Sequence, residues 1–167
     1  DVGFYGHFEK DGRERIMSEL MKRVPASYAI RGSGWASARE SKSWAHLDTT
    51  PVFAEAYVRA LQATRIALVF LSGLNRDTYT TRVFEIPACG TFMLAPRTEE
   101  IASLFSEDRE VALYDDFDEL VDKVKFYLHN PELRQSIADA GHRRAWSSGY
   151  AIHDRMKEWI AMLETLI

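Results

Sequence analysis

The sequence predicts an α/β fold in which a parallel sheet of about five or six strands is covered by helices on both faces. Two features indicate this fold. Strand-like and helix-like segments alternate along the chain, which favours parallel strands joined by helical crossovers. The apolar run at residues 66–71 does not alternate with polar residues, which is typical of a strand buried on both faces. Together these features predict a Rossmann-like domain that binds ligands beyond the carboxyl ends of its strands.

The first half of the chain is predicted to hold three strands and two helices. The first helix has apolar residues at helical spacing and ends at Pro25, while Pro51 is well placed to begin the second helix. Residues 36–50 are polar and predict no regular element. The strands are predicted at residues 2–5, 28–30 and 66–71, and the helices at residues 11–24 and 51–63.

The second half is predicted to hold two more strands and five helices, the last of which (residues 131–167) pack on the domain. Gly90 suits the position after a helix that ends at residue 89, and Asp116 with Glu119 predicts a capping box. The strands are predicted at residues 91–94 and 110–114. The helices are predicted at residues 82–89, 99–105 and 117–128, from 131 to 141 or 146, and from 152 to 166.

Composition narrows the class of protein. The chain has 167 residues and a formal net charge of −4, which fit one globular domain and do not point to nucleic acid. Its single cysteine, Cys89, permits no disulfide within the chain and fits a reducing compartment. No apolar stretch reaches the ~18 residues that a membrane span needs. We therefore expect one domain over residues 1–167, a cytoplasmic location and no membrane span.

The most informative polar segment is the loop at residues 72–81, which follows the buried strand and leads into a short helix. The amino end of that helix offers unpaired N–H groups and a partial positive charge, which suit a phosphate, and Thr80 or Thr81 can cap it. Glu85 lies one turn into the helix, where its carboxylate can accept two hydrogen bonds from a ribose diol. The alternative is structural: Glu85 favourably meets the helix dipole, and Asp77 is a solvated loop residue.

The same segment resembles the signature of a known family. Asp77 and Glu85 are spaced like the two acids of the E-x7-E signature of the retaining GT-B glycosyltransferases of group 1. Residues 82–90 read RVFEIPACG and resemble the R-x-F-E-x-x-A-C-G run of the branch related to spore-maturation glycosyltransferases. The resemblance continues in segments such as residues 131–143 and covers roughly residues 60–160.

The resemblance implies the C-terminal lobe of a two-lobe enzyme, which holds a nucleoside diphosphate sugar as donor substrate. By this resemblance Glu85 binds the ribose, and the amides near Thr81 and Arg82 hold the diphosphate. Arg82 is also expected to pair with a phosphate through its guanidinium fork. Asp77 is expected to contact the donor sugar, although it is one methylene shorter than the glutamate of the family. No metal and no cofactor other than the donor substrate are implied.

The loop after the first strand is expected to supply the catalytic cations. By the same resemblance, an arginine and a lysine there stabilise the departing diphosphate, because negative charge grows on the leaving oxygen. Arg13 is the first candidate and Lys10 the second; the spacing of the family is not reproduced, and Arg15 is a further candidate. Gly6 and His7 are expected beside the donor. The alternative is that each of these basic side chains is simply exposed to solvent at the start of a helix.

The resemblance also implies partners and leaves some residues with two interpretations. The acceptor lobe is expected to precede this chain, which begins in a strand without an initial methionine. Trp35, in a loop resembling G-x-G-x-x-G, is a candidate either to stack on the base or to anchor that lobe. The D-x-D at residues 116–118 is assigned to helix capping. The face of Trp159 and Leu163 on the last helix is expected to be partly uncovered, which would promote a homodimer.

Two other functions compete with a hexosyltransferase-like enzyme whose isolated lobe has little activity. A nucleotide-sugar epimerase on the same fold would need acid and base groups around the sugar, and the sequence does not show them. A non-catalytic nucleotide- or sugar-binding module, such as a degenerate transferase lobe, is favoured slightly by an aspartate at position 77.

Overall fold

The computed structural model describes residues 1–165, which form a five-stranded parallel sheet flanked by seven helices. The strand order is β2-β1-β3-β4-β5, so the chain reverses direction across the sheet beside β1. The predicted α/β fold class is confirmed. The strands are β1 (Val2–Tyr5), β2 (Tyr28–Arg31), β3 (Ile66–Leu68), β4 (Met93–Pro96) and β5 (Ala112–Tyr114).

The helices connect successive strands and then complete the chain. Two short 3₁₀ turns, Trp35–Ser37 and Ser41–Trp44, occupy the segment for which the sequence predicted no regular element. No helix within residues 1–165 is long and apolar enough to cross a membrane. The helices are α1 (Arg13–Arg23), α2 (Ala54–Gln62), α3 (Arg82–Ala88), α4 (Glu99–Leu104), α5 (Phe117–His129), α6 (Pro131–Ser147) and α7 (Ile152–Glu164).

Each face of the sheet has its own apolar core. Leu68 and Phe70 belong to the core that includes buried residues of α1 and α5. Ala67 and Val69, which alternate with them, belong to the core that includes buried residues of α2, α3 and α4. Because both sets of side chains are buried, the strand carries no polar face, and its sequence is continuously apolar. The prediction of helices on both faces is confirmed.

Several boundaries differ from the predictions, and the start of α2 differs for a clear reason. Phe53 is extended and Ala54 has a φ of 48°, so the right-handed helix does not continue back to Pro51. Residues 51–53 instead form a non-helical segment that precedes α2. Strand β3 ends earlier than predicted, although the amide of Val69 still donates to the Leu94 carbonyl at 3.0 Å.

The last two helices differ in how they pack. Helix α6 lies against the domain: a Cβ on Gly141 would overlap the Glu110 carbonyl, and His142 Nδ1 is 3.1 Å from the Pro87 carbonyl oxygen. Helix α7 has no buried residue, and the side chains of Trp159 and Leu163 are 64% and 52% exposed. The expected uncovered apolar face is therefore present on α7, while its predicted end at residue 166 lies outside the described residues.

The D-x-D motif caps helix α5, as expected. The Asp116 side chain accepts a hydrogen bond from the Glu119 amide at 2.9 Å. Glu119 in turn accepts from the amide of Asp115, one residue before the cap, at 2.7 Å. These bonds satisfy backbone N–H groups at the start of α5. The second acid of the motif, Asp118, forms an ion pair with Arg23 at 2.5 Å.

The carboxyl ends of β1 and β2 are held together at Gly6. The Gly6 amide donates to the Arg31 carbonyl at 2.9 Å, and the Gly6 carbonyl accepts from the Trp35 indole N–H at 2.8 Å. A Cβ on Gly32 would overlap the Gly6 carbonyl oxygen, so this approach requires a glycine at position 32. Trp35 is fully buried beneath the loop. Its two predicted roles, stacking on a base and anchoring another lobe, are therefore wrong.

We predict that Gly32→Ala lowers the free energy of unfolding by about 1–3 kcal/mol, because the new methyl group would displace the Gly6 backbone. Chemical denaturation in urea would measure the change. Gly73→Ala is the matched control, since a Cβ there would meet Asp11 at an ordinary contact distance of 3.5 Å. Equal stability of the two variants would contradict the close approach of the two loops.

Candidate functional site

A cleft of about 430 Å³ opens at the carboxyl ends of β1 and β2 and extends to the start of α3. Four parts of the chain form its walls, and they meet only because parallel strands bring their carboxyl ends to one edge of the sheet. The lining consists of residues 5–7, 31–33, 51–54 and 57, together with 81, 82 and 85.

Arg82 brings a positive charge into this cleft. Its Nε donates to the Tyr5 carbonyl, and its Nη1 is 3.4 Å from Thr80 Oγ1. A Cβ on Gly6 would lie 2.9 Å from Nη2, so the guanidinium crosses the strand end where a side chain is missing. The bond to a backbone carbonyl fixes the guanidinium, and its remaining N–H groups can meet an anion.

The Glu85 carboxylate contributes a negative charge to the cleft, and the hydroxyl of Tyr57 orients it. The Tyr57 hydroxyl donates to Glu85 Oε2 at 2.8 Å, which links α2 to the first turn of α3. Burial raises the pKa of Tyr57, and the charge of Glu85 raises it further, so the phenol remains a donor at physiological pH. Among residues 1–165, Glu85 Oε1 has no hydrogen-bond partner in the protein and can accept bonds from a ligand.

The prediction that Thr80 or Thr81 caps α3 is wrong: among residues 1–165, neither side chain accepts a hydrogen bond from an amide of the helix. Thr81 is the residue that precedes the helix, but its side chain makes no capping hydrogen bond. Its φ of −53° and ψ of −28° are helical, whereas a capping side chain needs an extended backbone to reach the following amides. Thr81 is exposed and lines the cleft instead.

Two basic side chains in the cleft lining, His7 and Arg31, each lie beside an acidic residue that is not part of that lining. His7 lines the cleft with a 59% exposed side chain, and its Nε2 lies 3.1 Å from Glu9 Oε1. Arg31 forms an ion pair with Asp48 on the outer side of the cleft. The cleft therefore contains two guanidinium groups and one carboxylate that accepts a bond from a tyrosine, a mixture that suits a ligand with both anionic and hydroxyl groups.

Arg13 is the first residue of α1, and its guanidinium already has partners within the protein. Its guanidinium donates to Asp11 at 2.8 Å and to the His7 carbonyl at 3.0 Å, and lies 3.2 Å from Glu9. The residue is only 4% exposed. Within residues 1–165 it is not part of the cleft lining. A direct contact between Arg13 and a ligand in the cleft would require these ion pairs to open.

Two further predicted site residues also lie apart from the cleft. Lys10 is exposed in the loop between β1 and α1, and Asp77 is exposed in the loop between β3 and α3. The amide of Asp77 donates to the Ser72 carbonyl at 3.1 Å, which closes a turn at the start of that loop. Of the predicted donor-binding residues, the structure brings Gly6, His7, Thr81, Arg82 and Glu85 together. It does not place Asp77 with them among the described lining residues.

Sequence reasoning missed part of the lining. The sequence predicts a helix over residues 51–63 and gives no sign of the role of Tyr57, because a contact with Glu85 across 28 positions leaves no local pattern. The predicted helix also includes Phe53, which in the structure precedes the helix and is 76% exposed at the cleft. A large apolar side chain followed by an alanine in the left-handed region is visible only once the backbone is known. Within residues 1–165, no three His, Cys, Asp or Glu side chains converge as a metal site requires.

Comparison with known proteins identifies the family of the chain. A model of a family described as glycosyl transferase-like matches residues 13–161 of the chain. A search of curated proteins gave no match. Solved structures of glycosyltransferases, in contrast, superpose on most of the chain.

Three of these structures illustrate the likeness. The C-terminal domain of the glycosyl transferase group 1 family protein LpcC from Francisella tularensis has a TM-score of 0.62 at 16% identity, over 90% of this chain and 86% of that one. HepE from Anabaena in complex with UDP has a TM-score of 0.78 at 12% identity, over 99% of this chain and 48% of that one. Sucrose-phosphate synthase from Thermosynechococcus elongatus has a TM-score of 0.75 at 14% identity, over 99% and 46%.

At such identities the solved structures show a shared fold, and this chain spans about half the length of HepE and of sucrose-phosphate synthase. The family assignment rests on the match that covers most of the sequence. The chain belongs to the glycosyl transferase-like family.

Proposed function

We propose that the cleft binds the nucleoside diphosphate part of a nucleotide sugar, and that the chain is the donor-binding lobe of a glycosyltransferase. One observation carries the proposal: the Arg82 guanidinium and the Glu85 carboxylate line the same cleft, beside the glycine-containing ends of β1 and β2. A nucleoside diphosphate presents both groups that such a pair recognises, namely phosphate oxygens and a ribose diol.

The diphosphate is assigned to the side of the cleft formed by Arg82, Thr81 and Gly6. The guanidinium is held by the Tyr5 carbonyl and keeps N–H donors for phosphate oxygens. Gly6 permits a close approach of the ligand as well as of Arg82, because no Cβ stands in the way. The exposed hydroxyl of Thr81 and the imidazole of His7 add donors at the rim.

The ribose is assigned to Glu85, and the base to the segment beyond it. Oε1 of Glu85 is the oxygen that can accept a bond from a hydroxyl, while Oε2 keeps its bond from Tyr57. The exposed Phe53 ring and the backbone of residues 31–33 form the adjoining wall, which suits a flat heterocycle. HepE, which shares the fold, was solved with UDP and with UDP-glucose, so UDP is the natural first ligand to test.

The proposed reaction transfers the sugar from the diphosphate to an acceptor hydroxyl. The bond between the anomeric carbon and the diphosphate oxygen breaks, the acceptor oxygen bonds to that carbon, and the acceptor proton is lost to solvent or a base. Negative charge grows on the departing diphosphate, where Arg82 stabilises it. The resemblance of Asp77 and Glu85 to the E-x7-E signature of the retaining GT-B transferases of group 1 supports retention of configuration and a donor site without a metal. A second lobe would supply most of the acceptor site.

A nucleotide-binding module without transfer activity is the second candidate. The positions of Asp77, outside the cleft lining, and of Arg13, occupied by acidic neighbours, favour it. Product analysis separates the two functions. Slow release of free sugar from a bound donor would support the enzyme, and binding with no release would support the module.

We predict that Glu85→Gln weakens binding of the preferred nucleoside diphosphate about tenfold, because a charged acceptor for the ribose is lost. Calorimetric titration of UDP, GDP and ADP into the chain and the variant would measure it. Glu99→Gln is the matched control, since Glu99 also lies in the first turn of a helix, α4. If none of the three diphosphates binds to the unmodified chain at about millimolar concentration, the proposed function is wrong.

We predict that Arg82→Lys reduces the preference for a nucleoside diphosphate over the corresponding monophosphate, because lysine keeps the charge but loses the guanidinium fork. The ratio of the two dissociation constants, from the same calorimetry, is the quantity to compare. Arg109→Lys serves as control, since Arg109 is exposed and outside the cleft lining among residues 1–165. An unchanged ratio in Arg82→Lys would contradict the assignment of the diphosphate to Arg82.

A further inference from the structure

We propose that Tyr57 is a positioning residue for the donor, whose hydroxyl holds the Glu85 carboxylate in the orientation that binds the ribose. The inference rests on the proposed function, because it concerns how the same cleft recognises a nucleoside. It assigns a role to a residue on α2, a helix that contributes no other charged or hydroxyl group to the cleft lining.

The contact is specific and directional. The Tyr57 hydroxyl donates to Oε2 of Glu85 at 2.8 Å, and both residues line the cleft. One carboxylate oxygen is thereby oriented from α2, and the other is left to accept from a ligand. Burial of the phenol raises the pKa of Tyr57, and the carboxylate raises it further, so the hydroxyl stays protonated and keeps donating across the working pH range.

Tyr57 is itself held firmly. Its ring packs edge-on against the ring of Tyr5, with a centroid separation of 6.1 Å. The Tyr5 hydroxyl donates to the Ala60 carbonyl at 3.0 Å and lies 2.6 Å from Thr64 Oγ1, which ties α2 to β1. The hydroxyl that meets Glu85 is therefore presented by a helix fastened to the central sheet.

A fixed carboxylate has a clear advantage for binding. Glu85 is only partly buried, and a glutamate side chain loses considerable rotamer freedom when a ligand orders it. A hydrogen bond that orders the side chain beforehand removes much of this cost from the binding step. The opposite role is also testable: if the hydroxyl merely competes with the ribose for the carboxylate, its removal should tighten binding.

The test is the titration of Tyr57→Phe with two ligands, the preferred diphosphate among UDP, GDP and ADP, and its 2′-deoxy analogue. We expect the ribonucleotide to bind about threefold to tenfold more weakly than to the unmodified chain. The deoxy analogue should change less, so the ratio of the two dissociation constants should shrink. Tyr28→Phe is the control, because it removes a hydroxyl that donates to the Val24 carbonyl at 2.9 Å, outside the cleft lining of the described residues. It should leave the ratio unchanged.

A double variant tests whether the weaker binding by Tyr57→Phe comes from a general loss of stability. If Tyr57 acts through Glu85, adding Tyr57→Phe to Glu85→Gln should have little further effect on the ratio. An unchanged ratio in Tyr57→Phe, tighter binding, or fully additive effects would overturn the inference. If any of these results is found while Glu85→Gln still weakens binding, the role of Tyr57 would be overturned and the proposed function would stand. Absence of binding to the unmodified chain would overturn both.

Discussion

The structure depends on the packing of the backbone at Gly6. This residue accepts the indole N–H of Trp35, donates to the Arg31 carbonyl, faces Gly32 without an intervening side chain, and leaves room for Arg82. Strand β1, the loop after β2 and helix α3 therefore converge on one residue that has no side chain. A larger residue here would push apart the elements that line the cleft, because the interior beneath it is filled by the buried rings of Phe4 and Trp35.

The floor of the cleft is formed by the ends of strands in a rigid sheet. The polar groups of the cleft lie in loops and in the first turns of helices. The sheet is buried on both faces, so the carboxyl ends of its strands have little freedom to move. Side chains at these ends are held by backbone partners or by one another: Arg82 by a strand carbonyl and Glu85 by Tyr57. Such a site is ordered before the ligand arrives, which limits the entropy lost on binding. Arg13 is held by similar contacts, but these contacts stabilise the loop between β1 and α1 and do not form part of the cleft.

Much of the fold could be predicted from the sequence, because it depends on periodicity. The continuous apolar run that contains β3 and the capping residue Asp116 are local patterns, and the structure confirms each. Glu85 and Arg82 line the cleft because a helix that follows a parallel strand starts at the carboxyl edge of the sheet, and their role in binding a donor stays a prediction.

The remaining features depend on contacts between distant parts of the chain. The sequence did not predict Tyr57, whose hydroxyl meets a residue on another helix, or the left-handed Ala54 that shapes the cleft wall. The sequence places Trp35 in a loop beside glycines and gives no sign of its burial, whereas the indole fills the core below Gly6. Asp77 matched the spacing of a signature, but spacing along a loop does not determine where the loop points.

The central claim is that a nucleoside diphosphate binds between Arg82 and Glu85, and amide chemical-shift mapping tests it most directly. The isotope-labelled chain would be titrated with UDP, GDP and ADP and followed by NMR. The account predicts saturable shifts for the amides of Gly6, Gly32 and Glu85 with at least one of the three. Shifts confined to another surface, such as the open groove beside Phe126 and Leu133, would contradict it.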